Sequence, residues 1–264
     1  MDINGYYIGS NDERDLKSAN LAGADLGNVD LSGYDLSGAC LIGANLTYAK
    51  VSGSNLSNAD LTGAVLSCAD LSACNLHNTK FINANLEACD LSNVYVQDVP
   101  IFDRWKFINH AKDWPTFVPT DDRVFAPTDE DWLDKRISSG GFEWNIGIGP
   151  DFSYANLAQA SLINANIPNS RFIFASLSTA DFSNSQLIGS NFYGATILGS
   201  DFSGSKLNSS VMSKVKMNGA LMCAADLTSV NFTGANLQGA DLSGATITGT
   251  VFTDAELTRT KMPN

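Results

Sequence analysis

A large apolar residue recurs at every fifth position of this chain. Leu16, Leu21, Leu26, Leu31, Leu36, Leu41 and Leu46 begin the series, which keeps its phase to Val96. It resumes at Phe152 and runs through Leu157, Leu162, Ile167, Phe172 and Leu177 to Met262. A period of five is neither the 3.6 of a helix nor the 2 of a strand. A chain that turns a corner every five residues produces it, because one long side chain per edge then points to a central axis. Self-similarity at a fixed period marks a repeat architecture.

Each slot of the repeat has its own chemistry. Two positions before the large residue, here called the centre, stands a small one, as at Ala19, Ala24, Ala39, Ala44, Ala59, Ala155, Ala160, Ala165, Ala235 and Ala240. Between the two, Asp or Asn is frequent, as at Asn20, Asp25, Asp60, Asp70, Asn156, Asn236 and Asp241. The two positions after the centre are mostly Ser, Thr, Gly or Asn. The small residue must fit inside where little room remains, and Asp and Asn tolerate tight turns and bond nearby backbone amides. Cys74 and Cys89 stand in the small slot and read as small core hydrophobes.

The unit Ala-(Asp/Asn)-Leu-x-x resembles the pentapeptide-repeat family over about four fifths of the chain. The resemblance implies an all-β fold, a right-handed quadrilateral β-helix with four pentapeptides per coil and about ten coils here. The sequence tests that number independently, because residues one coil apart should stack at the strand spacing of about 4.8 Å. Phe152, Phe172, Phe192, Phe232 and Phe252 are spaced by twenty, with Met212 on the missing rung. Phe182 and Phe202 form a shorter ladder, and Leu16, Leu36, Leu56 and Leu76 another. Ring stacking along one wall suits such a spacing.

The beat divides the chain into a cap at 1–14, a first repeat block at 15–99, an irregular segment at 100–149 and a second block at 150–264. Centres fall at numbers ending in 1 or 6 in the first block and in 2 or 7 in the second, so the segment leaves the repeat path and returns out of phase. It holds all four Trp (Trp105, Trp114, Trp132, Trp144) together with Phe117 and Phe125. A Thr cap, early acids and late bases predict a short helix at 129–137. These six aromatic residues are the candidate partner-binding residues, since loops on rigid scaffolds commonly carry function and Trp is enriched at binding hot spots. The competing reading is that they pack the excursion back onto the rod.

The formal net charge is −12. Residues 1–96 carry 11 acidic and 4 basic side chains, 97–149 carry 10 and 6, and 150–264 carry 7 and 6. No basic stripe exists for nucleic acid, and no direct nucleic-acid binding is expected. No apolar run reaches the roughly eighteen residues of a membrane span. The opening residues lack a secretory pattern, which points to the cytoplasm.

Convergent catalytic groups are lacking. His77 follows a centre and is expected to face solvent, and His110 lies in the irregular segment; neither has a metal partner at ligand spacing. Asp181, Asp201 and Asp241, with Leu221 between them, make an incomplete carboxylate column that reads as a solvated face. The expectation is a non-enzyme without cofactor or metal, a rigid scaffold for an unidentified protein partner docking through 100–149. A second reading takes the acidic rod as a DNA mimic that engages gyrase or topoisomerase, as in the Qnr and MfpA quinolone-resistance members, and a third takes it as a structural appendage. The regular repeats look more like cyanobacterial members such as HetL. A monomer and an end-to-end homodimer both remain open.

Overall fold

The computed structural model describes residues 14–96 and 149–264, with the backbone pairing of two short N-terminal strands. Strand β1 (Asp2–Ile3) and strand β2 (Tyr6–Tyr7) form an antiparallel pair. The chain divides into two compact units, Met1–Val96 with Ile146–Asn264, and Gln97–Asn145. The second lies outside the described residues, and with it the expected helix at 129–137. The phase-shifted repeat itself is fully described.

Parallel bridges join residues twenty apart, Asp15 to Asp35 and Asn20 to Cys40 among them, and continue to Asp241 with Lys261. Twenty residues therefore complete one circuit of four edges. Within each pentapeptide the backbone donors divide in a fixed way. The centre amide donates to the next coil, as Leu16 does to Asp35 O at 2.8 Å. The amide two residues on does likewise, as Ser18 does to Ser37 O. The amide three residues on closes a turn back to the centre carbonyl, as Ala19 does to Leu16 O at 3.0 Å, and the fourth reaches the previous coil, as Cys40 does to Ala19 O.

One donor per repeat is left over, the amide directly after the centre. Where Asp or Asn stands directly before the centre, its side chain is the partner: Ser32 N donates to Asp30 Oδ1 at 3.0 Å, Ser72 N to Asp70 Oδ1 at 2.9 Å and Ser243 N to Asp241 Oδ1 at 3.0 Å. Buried or half-buried backbone donors need partners, and this side chain supplies the one the ladder lacks. Pro168 stands in that slot after Ile167 and removes the donor altogether.

Every turn described places its third residue at positive φ, the signature of a type II turn. Glycine fills some of these positions, such as Gly23 (67°) and Gly63 (67°), but more than half carry a side chain, including Ala73 (55°) and Phe174 (55°). The left-handed region costs a non-glycine residue roughly 1–2 kcal/mol. The repeat accepts that cost because the turn is what returns the chain to the ladder.

Inside, the centres and the small residues close the axis. Phe152, Phe172, Phe182, Phe192, Phe202 and Phe232 are fully buried, as are Leu16 to Leu91 at the centre positions. Phe172 and Phe192 stack at 4.6 Å and 6°, and Phe182 and Phe202 at 4.6 Å and 4°. The two ladders meet edge to face, with Phe172 and Phe182 at 5.7 Å and 85°. Where Ser or Thr replaces Ala in the small slot, the hydroxyl bonds a centre carbonyl, as Ser54 does to Leu31 O (2.6 Å) and Ser205 to Phe202 O (2.7 Å). Cys74 and Cys89 are buried there as small residues, and burial pushes the Cys74 thiol up to about 12.

The register crosses the interruption without a break. Lys80 bridges to Asp151, Phe81 N donates to Asp151 O at 2.7 Å, and the rings of Phe81 and Phe152 stack at 4.9 Å. Asn156 bonds Asn85 across a sequence separation of 71, where 20 is the rule elsewhere. Fifty-one extra residues are thus spliced into the single corner after Val96. Gly149 lies at that corner, so close to Pro168, Asn169 and Ser170 that any side chain would strike their backbone.

Three substitutions separate core from turn. Phe172→Ala should lower unfolding stability by about 3–5 kcal/mol by opening a cavity in the ladder. Ala73→Gly and Ala88→Gly, both exposed at positive φ, should each raise it by up to about 1 kcal/mol. Denaturant unfolding of the purified variants measures both.

Candidate functional site

The six residues singled out from the sequence, Trp105, Trp114, Trp132, Trp144, Phe117 and Phe125, all lie outside the described residues, as does His110. What the structure adds is an aromatic corner that the repeat pattern does not announce. It belongs to the edge whose centres are Phe152, Phe172, Phe192 and Met212, immediately after the chain re-enters the coil at Gly149.

Tyr154 and Phe174 occupy the third turn position in successive coils, and Tyr193 the second position in the next. The Tyr154 and Phe174 rings stack at 5.6 Å, and Phe174 meets Tyr193 edge-on at 5.5 Å. Lys214 Nζ sits 5.9 Å from the centre of the Tyr193 ring, within cation–π range. Tyr154 is 51% exposed and Phe174 46%. The Phe174 ring lies over Gly194, where a side chain would collide with it. Behind the rings Ser153 is buried, and its hydroxyl finds no hydrogen-bond partner. The signal for this corner was present in the sequence as three aromatic residues in slots mostly given to Ser, Thr, Gly or Asn. The inward Phe ladder masked it.

His77 differs from expectation. It is half-buried, and its Nδ1 lies away from solvent with no hydrogen-bond partner.

The carboxylate column is longer than the sequence suggested. The register lines up Asp30, Lys50, Asp70, Asp90, Ser161, Asp181, Asp201, Leu221, Asp241 and Lys261 on one edge. Each Asp caps its own turn, as Asp181 and Asp201 do with Ser183 N and Ser203 N at 2.9 and 2.8 Å. The Ser32 amide and hydroxyl hold the Asp30 carboxyl below its ordinary value. Burial works against Asp35, but the Ser37 hydroxyl and amide outweigh it and lower that carboxyl too. Lys261 Nζ lies 2.7 Å from Asp241 Oδ2 and holds the acid well below the carboxylate range, while its own ammonium is raised in turn. Among the described residues no group of His, Cys, Asp or Glu is arranged to hold a metal ion.

A carboxyl depressed on folding contributes stability above its unfolded value, near pH 4, and loses it as pH falls through the folded value. The melting temperature should therefore be level above about pH 5 and fall below it. Asp30→Asn with Asp35→Asn keeps both turn acceptors but gives up the stabilised charge, so it should lower the neutral-pH melting temperature by a few degrees and flatten the acid limb. Circular dichroism melts from pH 7 to pH 2 read this directly.

Comparison with known proteins agrees with the geometry. The family model for pentapeptide repeats matches in eight copies, over residues 15–53, 39–78, 54–93, 151–184, 185–222 and 225–262. No curated protein sequence gives a match. Among solved structures, HetL, a pentapeptide repeat protein involved in heterocyst differentiation regulation from the cyanobacterium Nostoc sp. strain PCC 7120, is 23% identical over 95% of this chain and 85% of its own, with a TM-score of 0.41. A trypsin-treated form of QnrB1, a plasmid-mediated fluoroquinolone resistance protein, is 16% identical over 90% and 86%, with a TM-score of 0.41. A pentapeptide repeat protein from the Arabidopsis thaliana thylakoid lumen is 34% identical over 30% of this chain and 56% of its own, with a TM-score of 0.30. The matched repeats, the twenty-residue register and the capped turns place this chain in the pentapeptide-repeat family, a right-handed β-helix solenoid.

Proposed function

We propose that the protein is a non-catalytic, cytoplasmic scaffold for protein–protein interaction, a rigid rod that carries the aromatic-rich residues between Val96 and Gly149 as a docking element. The observation that carries this reading is the unbroken register between Lys80 and Asp151. The rod closes on itself as though the intervening residues were absent, so they are surplus to the fold. Surplus residues on a rigid support, rich in Trp, have the composition of a binding element.

A second reading is favoured by the aligned Asp30, Asp70, Asp90, Asp181, Asp201 and Asp241, which give one edge a predominantly negative charge broken by Lys50, Ser161, Leu221 and Lys261. An acidic rod of this kind presents itself to a DNA-binding enzyme in place of DNA. A gyrase supercoiling assay with and without quinolone separates the two, since an interaction scaffold leaves supercoiling unchanged at micromolar concentration.

Deleting 98–148 removes fifty-one residues and leaves Gln97 and Gly149 as the two central residues of an ordinary turn, with Gly at the position that needs positive φ. This variant should fold with the melting temperature of the intact chain within a few degrees. Partner capture in a pull-down should be lost with it. Retention of the same partners at the same yield would move the docking surface from the deleted residues to the rod.

A further inference from the structure

The aromatic corner of the second block is outside the residues just discussed, and its construction is costly. The third turn position on this edge is glycine at Gly23, Gly43, Gly63, Gly194 and Gly234, where it is free of strain. At Tyr154 (φ 61°) and Phe174 (φ 55°) the same position holds a bulky ring in the left-handed region. Left-handed residues other than glycine are common at this turn position, so what sets the corner apart is that two rings occupy it in successive coils. Both rings are about half exposed, so the core does not supply the reason.

The corner is also prearranged. Stacking fixes Tyr154 on Phe174, the edge contact fixes Phe174 on Tyr193, and Gly194 leaves the space into which Phe174 lies. Rings already held in place lose little freedom on binding, which is how aromatic recognition surfaces gain affinity.

Charge then selects the partner. Arg171 and Lys214 lie on this edge, and Lys216 begins the next edge of the same coil. They are three of the six basic residues after Gly149; Asp151 pairs with Arg171 at 3.6 Å, and the other acids in these rows of the second block, Asp254 and Glu256, lie two coils beyond Lys214 and Lys216. A locally basic, aromatic corner on a chain of net charge −12 attracts a short acidic segment. The net charge of −12 disfavours an extended polyanion, which sets a short peptide above single-stranded nucleic acid.

We propose that the Tyr154–Phe174–Tyr193 corner, flanked by Arg171, Lys214 and Lys216, docks an acidic peptide segment of a protein partner that bears an aromatic side chain. The inference rests on the protein-interaction reading and names the chemistry of one contact within it. The partner's ring adds to the aromatic column while its carboxylates meet the three cations.

The test uses the full chain and a fluorescein-labelled peptide rich in Asp and Glu with one Trp, followed by anisotropy. Companion probes carry Lys for each acid, or Ser for the Trp, and an oligo-dT of similar charge completes the set. The acidic Trp peptide should bind, the Lys and Ser versions at least ten-fold more weakly, and 0.5 M salt should reduce the affinity. Phe174→Asn and Lys214→Glu should each weaken binding ten-fold or more. Asn suits positive φ, so Phe174→Asn and Tyr154→Asn should melt no lower than the parent, which separates lost binding from lost folding. Equal affinity in Phe174→Asn, no preference for acid over Lys, no measurable binding of the acidic Trp peptide, or oligo-dT binding with the same Phe174 dependence would each overturn the proposal. Partner capture that is lost on deleting 98–148 but indifferent to Phe174→Asn would overturn it while leaving the scaffold reading intact.

Discussion

The whole structure depends on the hydrogen bonds that join one coil to the next. Four of the five amides in each pentapeptide find backbone partners, three of them in a neighbouring coil, and the bonds all run parallel to the axis. That arrangement fixes the repeat length, because a coil of any other length would put carbonyls opposite carbonyls. It also dictates the side chains. The frequent Asp or Asn before the centre meets the fifth amide, and Pro168 removes that donor altogether, so the recurrence of Asp and Asn answers that one deficit.

The same accounting explains why a long interruption is tolerated. Insertions at a surface turn disturb neither the ladder nor the core, provided the chain returns to the point it left. Gly149, Pro150 and Asp151 bring it back so that Phe152 lands on Phe81 and Asn156 on Asn85. The Phe ladder begins in the coil before this splice and passes through it, giving the seam a continuous stacked core.

Much of this was legible in the chain itself. The period of five, the small slot and the spacing of Phe152, Phe172 and Phe192 predict edges, axis and coil length, and the stacked rings at 5.0 and 4.6 Å match them. The Asp and Asn slot was read as a turn capper, and so it is. The positive φ at the third turn position was harder to see, because glycine is the usual marker and Ala, Asn, Tyr and Phe stand in its place at many turns. His77, expected to face solvent, is half-buried. The aromatic corner escaped notice because Tyr154, Phe174 and Tyr193 are far apart in sequence and share a surface only through the twenty-residue register.

The sequence by itself determined the repeat, the identity of the core-facing residues and the place where the pattern breaks, since each follows from a local rule repeated many times. Only the tertiary structure decided how the two sides of the break meet, which outward side chains become neighbours and which turns carry strain. Those properties depend on residues one coil apart or across the splice, and the distance that matters there is the 2.7–3.0 Å of a hydrogen bond between coils, as in Phe81 N to Asp151 O and Asp151 N to Thr79 O, rather than any separation along the chain.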